Sequence, residues 1–345
     1  MPTTIRQFIV RSRYPLRVPV AKHLWMLFLG GVIISSIAFA PLLIDSANIG
    51  FILLALFVAI PAWLVGFSTP VFAWWSFSSS KFHLSTTRQQ GEAMLIAGML
   101  STFPAIIINS FITPGAVLFL SGGEASATLV ENITVIISAP VGEELCKALA
   151  VFSLASIIDS KKRGFQVGFT VGLGFALLEN LQYILFSLFA GEVMAFSYGL
   201  TSVVRGIGSI PGHAMWTACS GYAIGHILEQ RKQPNQIPDV KQWNLINPRD
   251  YSRGNNVPNT QQFMSQSMFS KSSNLDLPTS LPAMLGIAMF GHAFWNGSSV
   301  LMSTMSRGLN PVVGLIAELV WIVILIGLLW VVGRFVIAAA MEEGN

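Results

Sequence analysis

Residues 311–340 read PVVGLIAELVWIVILIGLLWVVGRFVIAAA, thirty positions in which only Glu318 and Arg334 carry charge. About 20 apolar helical residues suffice to cross a hydrocarbon core of roughly 30 Å. Lipid offers the backbone no hydrogen-bond partners, so such a run crosses as a helix. Working outward, seven further apolar runs precede it, at about 24–44, 50–76, 91–112, 129–158, 165–190, 199–228 and 280–305. Of the 345 residues only 10% are charged, against about 25% in a soluble domain. That is too little to coat a globule. The expectation is an all-α, polytopic transmembrane helical bundle of about eight spans in a lipid bilayer. Cys146 and Cys219 both lie within apolar runs, which excludes a disulfide framework or a cysteine-based zinc ribbon. No soluble module carries a clustered basic surface, so nucleic acid is excluded as a partner.

Basic residues fix the expected orientation. Sixteen fall in the N-terminal tail and the second, fourth and sixth connections, whereas the other connections hold only Arg307. By the positive-inside rule, both termini are cytoplasmic. The uninterrupted run through Ile44 reads as an uncleaved anchor rather than a signal peptide. This divides the chain into a basic tail (1–23), three N-terminal spans (24–128), a polar core (129–305) and a last span with its tail (306–345). Within the core, 229–279 is rich in Gln, Asn and Pro and reads as a flexible cytoplasmic linker.

A charge held at mid-membrane costs at least about 2.5–3.5 kcal/mol, so each one is a functional candidate. They cluster in four consecutive spans: Glu143, Glu144 and Lys147 in EELCK; Glu179 and Asn180 in FALLEN; His213 in PGHAMW; His292 and Asn296 in FGHAFWN. Counted from the cytoplasmic end of each span, Glu144, Glu179, His213 and His292 lie 12 to 15 residues deep, about 18–23 Å at 1.5 Å per residue. The pentapeptide Gly-His-Ala-x-Trp recurs at 212–216 and 291–295, on antiparallel spans. Gly164, Gly168 and Gly172 form a small-residue ridge suited to close helix packing.

Peptide hydrolysis needs a base for water, donors for the oxyanion and an acid for the leaving amine. Glu143, Glu144, Glu179, His213 and His292 are the catalytic candidates, with Lys147, Asn180, Arg205, Trp216 and Asn296 in support. One of Glu143 and Glu144 is expected to pair with Lys147 and the other to act as base. His292 and Asn296, four apart, suit a joint site for a substrate carbonyl. The acids outnumber the histidines, which favours a carboxylate-activated water and no obligatory cofactor. Zinc held by His213, His292 and Glu144 or Glu179 is the alternative. A proton-coupled transporter or channel and an inert peptide-binding scaffold are the rivals from other classes. Glu318 shows no partner in sequence, and His226 and Cys146 read as structural. Trp25, Trp63, Trp74, Trp75 and Trp330 read as interfacial anchors.

EELCK, Phe175-x-x-x-Glu179-Asn180, His213-x-x-Trp216 and His292-x-x-x-Asn296, in this order over 140–296, resemble the PrsW family of intramembrane proteases. The resemblance to type II CAAX prenyl endopeptidases and bacteriocin-immunity proteins is more distant: Lys147 comes one residue early for their first motif, and Glu179 stands where they end the second in His. The resemblance implies a multi-pass protease of the bacterial inner (plasma) membrane. Its substrate would be a membrane-anchored protein of the anti-sigma-factor kind, cut by regulated proteolysis. Oligomeric state is not legible in the sequence.

Overall fold

The computed structural model describes residues 16–82, 84–232 and 276–342, all of them helical or in short connections. Most of the basic tail and the linker residues 233–275 lie outside the described residues. Among the described residues eight helical rods follow one another. α1 is Ala21–Leu43, α2 is Ile49–Lys81 and α3 is Arg88–Leu120. α4 joins Ala127–Ile133, Thr134–Ser138 and Ala139–Ser153, and α5 is Lys161–Ser187. α6 joins Met194–Val204, Arg205–Ser209 and Ile210–Lys232, α7 is Leu281–Ser306 and α8 is Pro311–Glu342. The starts are chemically marked. Asn48, Ser126, Ser160 and Ser280 accept hydrogen bonds from the first turns of α2, α4, α5 and α7, and Thr87 with Gln90 forms a capping box on α3.

Five rods, α1, α2, α3, α5 and α8, are long and apolar enough to cross a membrane by length and composition. The other three, α4, α6 and α7, carry Glu143, Glu144 and Lys147, Arg205 and His213, and His292 and Asn296, which dilute their hydropathy. Large apolar side chains such as Phe57, Phe119, Phe290 and Val323 face outward, as expected of a surface turned to lipid.

α5 and α6 pack most closely and form the centre of the bundle. The reason is the glycine ridge. A Cβ on Gly168 would sit 2.4 Å from the Thr217 carbonyl oxygen, and one on Gly172 would sit 2.4 Å from that of His213. Gly164 faces Gly221 and Gly225 in the same way. On the opposite side of α5, Gly174 meets the Leu95 backbone of α3. Helices without side chains between them gain backbone-to-backbone dispersion contact, which drives association where there is no water to exclude.

Among the described residues three π-helical turns interrupt the rods, at Ile108–Ile112 in α3, Thr134–Ser138 in α4 and Arg205–Ser209 in α6. Each disturbs the regular ladder and leaves carbonyls available to side chains. The tryptophans answer in α6: Trp74 Nε1 donates to Gly206 O at 2.9 Å and Trp330 Nε1 to Ile207 O at 3.0 Å. Trp63 likewise donates to Leu181 O at 2.9 Å. Trp74 and Trp75 are therefore core residues, only 5% and 8% exposed, rather than interfacial anchors. A buried indole must place its N–H on an acceptor, and inside a membrane bundle backbone carbonyls supply it.

Gly172→Val is expected to destabilise the bundle by about 1–3 kcal/mol through overpacking. Gly327→Ala, where nothing lies within 4 Å, should be neutral. Unfolding midpoints in detergent measure both.

Candidate active site

Adjacent residues on a helix point about 100° apart, and this separates the two acids of α4. Glu144 is completely buried and turns into the bundle, where its Oε1 accepts from Lys147 Nζ at 2.7 Å and lies 3.0 Å from His292 Nδ1. Glu143 turns toward α3. Its Oε1 accepts from Asn109 Nδ2 at 3.2 Å, and its Oε2 lies 3.5 Å from Lys147 Nζ and 3.9 Å from His292 Nε2. That Oε2 is buried and makes no hydrogen bond.

Lys147 is the hub. Besides Glu144 it contacts His213 Nδ1 at 2.8 Å, and its ammonium stands over the Phe175 ring at 4.2 Å. An ammonium only donates, so Nδ1 is the bare nitrogen of a neutral His213, and Nε2 carries the proton toward Glu179 Oε2, 2.8 Å away. Glu179 is also 2.8 Å from Arg205 Nη2. Arg205 donates to Asn180 Oδ1 and lies over the Tyr183 ring. His292 is the opposite case: its Nδ1 is taken by Glu144 and its Nε2 has no hydrogen bond. Trp216 stacks on His292 with ring centroids 4.6 Å apart and planes 12° from parallel, and the two imidazoles are 5.0 Å apart.

The Gly-His-Ala-x-Trp repeat thus delivers two histidines to one point, but its tryptophans part. Trp216 stacks on the second histidine, whereas Trp295 packs against Gly208 of the π-turn in α6. Asn296, one turn beyond His292, is held away from the carboxylates and donates to Val135 O at 3.0 Å in the π-turn of α4. Glu318 has a partner, Ser306 Oγ at the end of α7, and His226 faces Gln230 within α6 at 3.0 Å. Cys146 is half-buried beside the site, but none of the hydrogen bonds above involves its sulfur. Asn109 escaped the motif reading. Its signal was an amide inside the apolar run 91–112, lying outside the four polar spans.

The residues also fit a metal ion. Glu143, His213 and His292 each offer one ligand atom, all within 4.8 Å of one another, and all three side chains are buried. Glu143 Oε2, which makes no hydrogen bond, and His292 Nε2 are open donors, and the carboxylate behind His292 is the usual support of a metal-binding imidazole. Three carboxylates, Glu143, Glu144 and Glu179, face two cations, Lys147 and Arg205, so one carboxylate is left without a cation of its own. His213 offers Nδ1 only when the Lys147 ammonium moves off it. The motif reading put Glu144 or Glu179 beside the histidines as the metal's carboxylate. In the fold, Lys147 holds Glu144 and Arg205 holds Glu179, and Glu143 completes the group.

Removing one partner of a buried ion pair typically costs about 3–5 kcal/mol. Lys147→Met should therefore lower the unfolding midpoint severely, and adding Glu144→Gln should recover part of the loss, as read by denaturation in detergent.

Residues 90–246 match the family described as PrsW family intramembrane metalloprotease. No curated protein and no solved structure matches. The match opens in α3, so it takes in Asn109, and it stops before α7 and His292. Together with the buried carboxylate and histidine cluster, it identifies the chain as a peptidase carrying a PrsW-family intramembrane metalloprotease domain over residues 90–246.

Proposed function

We propose that this chain cuts a membrane-anchored protein at a peptide bond brought to Glu143, His213 and His292, from a multi-pass position in a bacterial plasma membrane with both termini in the cytoplasm. The observation that carries the reading is the convergence of these three buried side chains, within 4.8 Å of one another, inside a bundle whose outer surface is apolar. The orientation rests on sixteen basic residues against one on the two sides. The anti-sigma-factor-like substrate rests on the family resemblance.

Glu143, His213 and His292 would hold the metal. When bound, such an ion polarises a carbonyl and makes water a nucleophile at neutral pH. The chain's own groups do the rest. Glu144 fixes the His292 ring through Nδ1 and keeps its Nε2 turned to the site. Lys147 holds Glu144 in place and neutralises it. In the carboxylate route, without a metal, the 3.9 Å gap between Glu143 Oε2 and His292 Nε2 lets one oxygen atom lie about 2.8 Å from both, so Glu143 can take a proton from that oxygen. Glu179 holds the His213 ring through Nε2, and the proton that Glu143 has taken can pass to the departing amine. Trp216 covers one face of His292 and shields the site.

Purified protein in liposomes with a single-pass substrate tests this. Glu143→Gln and His292→Ala should each lower kcat/KM by about 10²–10⁴, and Glu144→Gln by about 10–100-fold through the imidazole it orients. Elemental analysis should find metal in the native protein and little in His292→Ala, and chelation should stop cleavage. Undiminished cutting by the Glu143 and His292 variants would sink the reading. Cleavage that persists with neither metal nor chelator sensitivity would remove the metal and leave the carboxylate route.

A further inference from the structure

A cavity of about 500 Å³ opens between α3 and the first half of α4, lined by Asn109, Pro114, Leu118, Val130, Glu131 and Val135 among others. Its inner end touches the active site, because Asn109 is the residue that donates to Glu143. Its outer end lies toward the α3–α4 connection, residues 121–126, which the charge count makes extracytoplasmic. Two π-helical turns, Ile108–Ile112 and Thr134–Ser138, form its inner walls and are tied together by a hydrogen bond between Thr113 and Ser138. This cavity is in direct continuity with a reacting group.

Apart from Asn109 and Glu131, the lining is apolar but for Thr134, whose hydroxyl is taken up by Val130 O. At the inner end, Asn109 Oδ1 is buried and has no hydrogen-bond partner. A buried carbonyl left without a donor costs about 1–3 kcal/mol, and the N–H of an extended peptide is the donor a protease substrate brings. At the outer end, Glu131 is exposed and has no ionic partner among the described residues. A phospholipid phosphate would meet this carboxylate as a like charge. A lysine or arginine side chain would meet it as a partner.

We propose that this groove is the subsite that receives the extracytoplasmic flank of the substrate. Asn109 accepts a backbone N–H near the scissile bond, and Glu131 selects a basic side chain further out. The proposal rests on the protease reading above. Glu131 precedes Glu143 by 12 positions, about 18 Å of helix, which an extended chain covers in about five residues. The selected side chain therefore lies within about five residues of the cut.

Binding and cutting are measured separately. Full-length Glu143→Gln protein in liposomes is titrated with single-pass peptides carrying Lys, Gln or Glu two to five residues outside the cut. The active chain is then assayed on the same peptides. We expect the Lys peptide to bind and be cut with a Kd and KM about tenfold lower than the Glu peptide. Glu131→Lys should reverse that order with kcat little changed. Asn109→Leu should raise KM as well as lower kcat, and Asn109→Gln should restore part of both. Val130→p-benzoylphenylalanine should capture the peptide on illumination. If Glu131→Lys leaves the charge preference untouched, or the photoprobe captures only lipid, the inference is overturned. Charge-selective binding with no cutting by the active chain would support the subsite and count against the protease reading alone.

Discussion

The ammonium of Lys147 holds this site together. It lies in the middle of a bundle that excludes water, bonded to Glu144 at 2.7 Å and His213 at 2.8 Å, with Glu143 at 3.5 Å and the Phe175 face beneath it. A buried cation is tolerated only when several acceptors share it. Those acceptors come from α4 and α6, and through Glu144 the same charge reaches His292 on α7. One charge thereby sets the rotamer of an acid, the tautomer of one histidine and the orientation of the other.

That geometry requires helices closer together than side chains usually allow. The ridge Gly164, Gly168, Gly172 brings α5 against α6 until backbone meets backbone, and Gly172 rests on the carbonyl of His213 itself. Glu179, two turns further along α5, is then within 2.8 Å of the His213 ring. The π-turns serve the same end by a different route. Each adds a local offset to an otherwise regular rod and frees carbonyls that Trp74, Trp330 and Asn296 occupy. Backbone irregularity in a membrane protein persists where side chains can satisfy it, and here it flanks the site on three helices.

Much of the site was legible because charge in an apolar run is costly and therefore rare. The ionisable side chains Glu143, Glu144, Lys147, Glu179, Arg205, His213 and His292 lie in one connected set of contacts. Asn296 does not, because its amide is taken by Val135 O. Spacing alone could not tell Glu143 from Glu144, since both are within reach of Lys147 along the helix. Their division follows from what each meets on neighbouring rods: Asn109 of α3 for one, His292 of α7 for the other. Asn109 was harder to see because a single uncharged amide in a span has many bland explanations.

What the sequence determines by itself is what can be computed along one helix: length, apolarity, caps and where charge interrupts an apolar run. These follow from local backbone geometry and from the price of charge in lipid. Which acid pairs with the lysine, which tryptophan covers which histidine, and which asparagine joins the site depend on how far rods rotate and slide against one another. Glycine ridges and π-turns set those rotations through backbone contacts between segments far apart in the chain, so only the tertiary structure decides them.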